Sequence, residues 1–226
     1  MSDNICFVPA RNSSTRLKEK NIAPFRDENL ITHTIKQAKL CGIFDRIILS
    51  SNDEKILEMG HKHGVELQLR EDTYDQLIDV ITHAIQLFQF NEDDVFGLLL
   101  VTNPLRKIID IIEAYKIFQE VDRGHCVVSV KENENPVQMA WKTDDGHLVP
   151  VMSKEYYMST RKQDHYKTYC YNDAIIFDTV KNFMAPERYN LFGNTPIPYF
   201  MPWERSIAID YEFQLKIAQC LGGLDG

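Results

Sequence analysis

The stretch Pro9-Ala-Arg-Asn-Ser-Ser-Thr-Arg-Leu-Lys-Glu-Lys-Asn21 gathers Arg11, Arg16, Lys18 and Lys20 around the hydroxyls of Ser13, Ser14 and Thr15. The whole chain carries a net charge of −8, so this local excess of cations runs against the average. Backbone N–H groups, small hydroxyl side chains and several cations on one loop are the donors a polyphosphate requires. A solvated basic loop accounts for the same residues, and the stretch alone does not separate the two. Ahead of it, Ile5–Val8 is apolar and as short as a buried strand, and Pro9 and Ala10 end it.

The elements that must position these cations follow from the hydrophobic period. Leu30, Ile31, Thr34, Ile35 and Ala38 recur with helical spacing and stop near Cys41-Gly42. Arg46–Ser50 reads as a buried strand. Asp53 is an N-cap for a helix through Ile56, Leu57 and Met59 that stops at Gly64. Val65–Leu69 and Val95–Val101 read as strands, with a helix marked by Ile78, Ile81, Ile85 and Phe88 between them. A helix over Ile108–Val121 precedes a strand at Cys126–Val130. This alternation predicts an α/β protein: a three-layer, open, mostly parallel sheet covered on both faces.

The pattern changes near Pro136. Pro136–Val151 reads as a hairpin turning at Asp144-Asp-Gly146, and the segment 153–170 is polar, aromatic and irregular. Strands resume at Tyr171–Phe177 and Pro198–Met201, and Tyr211–Leu221 is an amphipathic helix. We expect one domain over 1–226, with an inserted hairpin and arm at about 132–170. Trp141 and its apolar neighbours make that hairpin a candidate dimer contact; a hairpin folded back on its own core fits the same residues.

In open parallel sheets, ligands bind beyond the carboxyl ends of the strands. Arg11, Lys20, Arg70 and Arg106 all follow predicted strands, so they can converge on one rim as an anion pocket. No Gly-rich phosphate loop and no G-x-G-x-x-G occurs, which disfavours ATPases and dinucleotide enzymes. The acidic balance argues against a nucleic-acid polymer as partner. The 44% hydrophobic content is ordinary for a soluble protein, and no apolar run reaches membrane-spanning length. Met1-Ser-Asp-Asn lacks the start of a secretory leader, and five widely spaced cysteines read as reduced thiols, so the cytoplasm is the expected location. His61 and His63, two apart, do not share a helix face and make a poor chelate.

Several motifs, in order, resemble the acylneuraminate cytidylyltransferases, which make CMP-sialic acid and related CMP-nonulosonates. They are Pro9-Ala-Arg-x-x-Ser-x-Arg-Leu-x-x-Lys-Asn21, Phe44–Ile56, Gly64–Arg70, Thr102-Asn-Pro-Leu-Arg106, Ser159–Asp164, Tyr171–Phe177 and Ile209–Phe213. The arm and its following strand look like the branch that handles pseudaminic acid. The resemblance implies a Rossmann-like nucleotidyltransferase fold and a homodimer. It also implies CTP and an acidic keto-sugar as substrates, with CMP transferred and pyrophosphate released. By the same resemblance, Arg11 and Lys20 clamp the phosphates and Asp210 holds Mg²⁺. Ser14, Arg16 and Asn21 shape the loop or touch the nucleotide, and Arg70 lies near the base or ribose. Thr102 and Asn172 fall in substrate-binding motifs, while Arg106 and Arg161 meet the acidic sugar or a partner subunit. For Arg106 the cap of a neighbouring helix, and for Ser14 a bond to loop backbone, remain open as alternatives.

The chain departs from the family pattern in two places. Its closing motif carries Asp-x-Asp, whereas this chain reads Ala208-Ile-Asp210, which weakens the expectation of Mg²⁺. A family glutamine is Leu100 here, and the proline after it is Val101. The alternatives are a nucleotidylyltransferase for another sugar or sugar acid, and a nucleotide-binding homologue that has lost catalysis.

Overall fold

The computed structural model describes residues 2–12, 16–71, 74, 76–122, 124–135, 137–152, 166–188, 190–193 and 195–224. Ser14 and Arg161 therefore lie outside the described residues, as does most of the polar segment 153–170.

Eleven strands and six α-helices follow one another along the described chain. The strands are β1 (Asn4–Pro9), β2 (Pro24–Phe25), β3 (Glu28–Asn29), β4 (Arg46–Ser51), β5 (Glu66–Leu69) and β6 (Val95–Leu99), then β7 (Val127–Glu132), β8 (Trp141–Asp144), β9 (His147–Pro150), β10 (Tyr169–Thr179) and β11 (Ile197–Phe200). The helices are α1 (Leu30–Leu40), α2 (Glu54–Lys62), α3 (Leu77–Phe88), α4 (Ile108–Glu120), α5 (Val180–Phe183) and α6 (Glu212–Leu224). Seven strands form one sheet in the order β11-β7-β10-β6-β1-β4-β5. Within it β10 alone runs antiparallel, to both β6 and β7. The expected three-layer, mostly parallel sheet is therefore what the chain builds.

Alternation along β1 shows how the layers are made. Cys6 and Val8 face the core shared with α1, α2, α4 and α6, while Ile5 and Phe7 face the core shared with α3 and α5. Asp53 caps α2 as its sequence position suggests, accepting from Lys55 N–H at 2.8 Å. The expected hairpin is β8–β9, turning at Asp145 and Gly146, both at positive φ. Three details differ from the sequence reading. The ribbon β2–β3 and the four-residue α5 are too short for any period to announce. β10 is longer than Tyr171–Phe177, because its ends pair with β6 and β7 rather than with local partners.

Arg106 corrects an expectation. It does not stand at the rim to meet a sugar; it is 1% exposed. Its guanidinium donates to Gln37 Oε1 from Nε at 3.2 Å and Nη2 at 3.1 Å. Nη1 reaches the carbonyls of Leu100 at 3.2 Å and Ala174 at 2.7 Å, and the Gln37 amide donates to the carbonyl of Arg106 itself. Five donors in a planar fork suit this bridging of α1, the end of β6 and β10. Burial pulls its pKa down to about 10. Asn172 is likewise 1% exposed and sits in the core rather than against a substrate. It accepts from Ser129 Oγ at 2.6 Å and donates to Ser206 Oγ at 2.9 Å, tying β7 and β10 to the segment after β11.

Gly97 in β6 leaves a slot for the stacked rings of Phe44 and Phe177, whose centroids are 5.9 Å apart. A Cβ there would lie 2.5 Å from Phe44 and 2.8 Å from Phe177. Gly97→Ala is therefore expected to cost about 1–3 kcal/mol by overpacking. Arg106→Met leaves Gln37 and two carbonyls short of donors and is expected to cost about 2–4 kcal/mol. Urea unfolding of both variants beside wild type checks these values, and unchanged midpoints would refute the packing argument.

Candidate active site

The carboxyl ends of β1, β5 and β6 meet at a cavity of about 300 Å³. Arg11, Arg16, Lys20, Asn21, Arg70 and Thr102 line it, together with Pro9, Tyr74, Gln76, Leu77, Val80, Leu100 and Val101. The fold thus unites six of the residues expected to bind substrate, drawn from stretches up to some ninety positions apart. Four are cations, and the wall opposite them is largely apolar. A cavity with convergent cations beside an apolar wall suits an anionic ligand with a flat organic part.

Each side chain has a local reason for its place. The loop after β1 is fastened where it leaves the sheet, Ala10 N–H donating to Ser50 O at 2.8 Å and Asn12 N–H to Asn52 Oδ1 at 3.0 Å. Its far end is closed by Asn21, whose Nδ2 donates to the carbonyl of Arg11 at 2.8 Å. Glu19, at φ +53, turns the chain into the short 3₁₀ segment Lys20–Ile22. Arg70 continues from β5, its N–H held by Ser51 O at 2.9 Å, and is 8% exposed.

Asp210 joins this group from the far end of the chain. Its Oδ1 accepts from Lys20 Nζ at 3.0 Å, and its Oδ2 lies 3.4 Å from Arg16 Nη1. Gln214 Oε1 accepts from the N–H groups of both Asp210 and Tyr211, at 2.7 and 2.9 Å, and so caps the start of α6. Arg16 also lies over the ring of Tyr211, 5.6 Å from its centroid. A bond to Tyr211, and then the charge of Asp210, raises the pKa of Arg16. Leu100 and Val101, which together make one of the two departures from the family pattern, line the same cavity, so their change alters a wall and not a remote site.

Two residues near this site, Lys131 and Asp173, are not singled out by a reading of the sequence. Lys131 Nζ sits 4.3 Å from the centroid of Trp203 and donates to Ser206 O at 3.3 Å. Asp173 adopts φ +58 on β10. Burial raises the pKa of its carboxyl, and Asp210 adds to the rise, while Lys20 and Lys131 oppose it. An isolated carboxylate within an apolar strand pattern is the signal present, and it does not say which charges the fold brings near.

The sequence profile of the cytidylyltransferase family matches residues 5–220. Pseudaminic acid cytidylyltransferase of Campylobacter jejuni is 31% identical over 191 residues, covering 81% of this chain and 82% of that protein. N-acylneuraminate cytidylyltransferase of Escherichia coli is 27% identical over 218 residues, or 95% of this chain, and this chain spans 51% of that protein's length. Among solved structures, CMP:2-keto-3-deoxy-manno-octonic acid synthetase complexed with CTP has a TM-score of 0.73 over 100% of both chains, at 11% identity, a likeness of fold. With a profile that spans nearly the whole sequence and a cation-lined cavity at the strand ends, this chain belongs to the cytidylyltransferase family.

Proposed function

We propose that this protein transfers CMP from CTP to a hydroxyl of an acidic keto-sugar of the nonulosonic class, releasing pyrophosphate. The convergence of Arg11, Arg16, Lys20, Asn21 and Arg70 on one cavity carries this reading. The names of the relatives supply the substrate class: pseudaminic acid in one and N-acylneuraminate in another. The sugar oxygen forms a bond to the α-phosphorus, the bond from that phosphorus to the bridging oxygen breaks, and the hydroxyl proton passes to solvent. Charge builds on the non-bridging oxygens and on the leaving pyrophosphate, so fixed cations lower the barrier.

Arg11 and Lys20 hold the phosphates, with Asn21 keeping the loop closed through the Arg11 carbonyl. In the free protein Asp210 pairs with both Lys20 and Arg16. Phosphates compete for those two cations, which frees carboxylate oxygens at the same place. Among the described residues no three His, Cys, Asp or Glu side chains group as a metal site. A hard carboxylate beside a phosphate pocket nonetheless suits Mg²⁺, which commonly takes one or two carboxylates and completes its shell with water and phosphate. When bound, Mg²⁺ supplies further neutralisation of the phosphate charge, and Asp210 is the residue that would hold it. Arg70, Tyr74 and Gln76 stand where the base or ribose would lie.

We place the protein in a reducing cytoplasm, a reading supported by five free cysteines. Among the described residues no helix is long and apolar enough to cross a membrane. The hairpin β8–β9 exposes Trp141 at 51% and Leu148 at 67%, with Val151 at 51% just beyond it. That apolar surface supports the reading of the 132–170 insertion as a contact between two copies of a single-domain chain.

Pyrophosphate release tests the chemistry, measured for four nucleoside triphosphates against a panel of keto-sugar acids, in Mg²⁺ and in chelator. CTP with a nonulosonic acid is expected to be the productive pair. Lys20→Ala is expected to lower kcat/KM about a hundredfold or more, and Asp210→Ala to abolish the Mg²⁺ dependence. Equal rates for all three proteins with and without chelator would sink these assignments, and CTP binding without turnover on any acid would leave a binding protein instead. Sedimentation of wild type is expected to give a dimer and deletion of residues 139–149 a monomer; identical profiles would remove the hairpin from the contact.

A further inference from the structure

Asp173 lies within the stretch of β10 whose pairing with β7 slips register between Tyr171 and Ile176. It holds φ +58, a conformation that costs most side chains energy and that Asp and Asn tolerate best. Two hydrogen bonds to one loop hold the residues that precede it and Asp210. Asn103 Nδ2 donates to the carbonyl of Asn172 at 2.7 Å, and Ile209 N–H donates to the carbonyl of Thr102 at 2.8 Å. The residues just before Asp173 and Asp210 are thus fastened to two successive positions of one loop. The two carboxylates act on each other electrostatically, with Lys20 and Lys131 acting on Asp173 as well.

The partners of the two carboxylates differ. Asp210 is shared between Lys20 and Arg16, whereas Asp173, partly buried, makes no side-chain hydrogen bond or ion pair among the described residues. A further oxygen lies on the loop that holds both segments. Asn103 is fully buried against Asn172, and its Oδ1 has no hydrogen-bond partner among the described residues. A buried oxygen such as Asn103 Oδ1, left without a donor, calls for an ion or an ordered water. Two like charges brought together raise the free energy of the site, and a divalent cation reverses that.

We propose that Asp173 supplies, with Asp210, the second carboxylate of a divalent-cation site, in place of the aspartate that the resemblance expects where Ala208 stands. The proposal rests on the reading of the cavity as a CTP-phosphate pocket. Two carboxylates, water and substrate phosphate make a donor set of hard oxygens that Mg²⁺ or Mn²⁺ accepts. On this proposal the second ligand comes from the irregular stretch of β10 and not from the closing motif.

Mn²⁺ is the probe, its free concentration read by electron paramagnetic resonance with and without CTP. Asp173→Asn and Asp173→Gly both suit positive φ, and thermal melting confirms that each is folded. Both are expected to raise the Mn²⁺ dissociation constant in the presence of CTP by about tenfold or more. CTP binding in chelator is expected not to weaken, and Ala208→Asp added to Asp173→Asn is expected to restore Mn²⁺ affinity. A folded Asp173→Asn that binds CTP and holds Mn²⁺ as tightly as wild type overturns the second carboxylate and leaves the nucleotide reading standing. A wild-type protein that binds no CTP, with or without Mn²⁺, overturns both.

Discussion

A guanidinium with almost no access to water governs this fold. Arg106 remains charged at neutral pH, its pKa lowered only to about 10, so its donors must find oxygen inside the protein. They find it on α1, at the end of β6 and on β10, three elements whose relative placement follows from that demand. The loop after β6 is thereby held between the sheet and α4. Its neighbours Thr102 and Asn103 then fasten Ile209 and Asn172, and so the carboxylates that follow each of them. A structural cation in the core thus sets the frame for the functional cations at the rim.

Polar groups do similar work around Asn172. It joins Ser129 on β7 to Ser206 beyond β11, inside an otherwise apolar interior. Ser129 also accepts from Ile175 N–H at 2.8 Å, where the ladder between β7 and β10 is interrupted. The bulge therefore leaves little unpaired backbone, and it offers Asp173 a conformation a regular strand would forbid. Buried networks of this kind are stabilising only when complete, which makes them demanding of geometry.

Charge explains how an acidic chain keeps a basic site. Two cations of the loop after β1, Arg16 and Lys20, share Asp210 in the free protein, so part of the cavity's positive charge is offset until an anion enters. Ion pairs at a partly exposed rim are weak, and a polyphosphate with several oxygens competes well for their cations. In the proposed reaction, that exchange of partners frees the carboxylate of Asp210.

Much of this was legible along the chain. Hydrophobic period marked the main strands and helices, because burial on both faces of a sheet leaves a repeating signature in residue type. The cationic loop and Arg70 pointed to the residues that line the cavity, since cations that follow different strands of a parallel sheet come together at its carboxyl edge. Arg106 and Asn172 misled, because a motif records that a residue belongs to the site region and not which way it turns. Asp173 and Lys131 were silent, because their roles come from charges that lie far apart in sequence and meet only when β7, β10 and the closing segment pack. The sequence by itself determined the layers, the strand ends and the chemistry available there, all of which depend on local pattern and composition. Only the tertiary structure decided which cation is buried, which carboxylates are neighbours and which partners they lack, because hydrogen bonds and charge interactions are settled by distance in space.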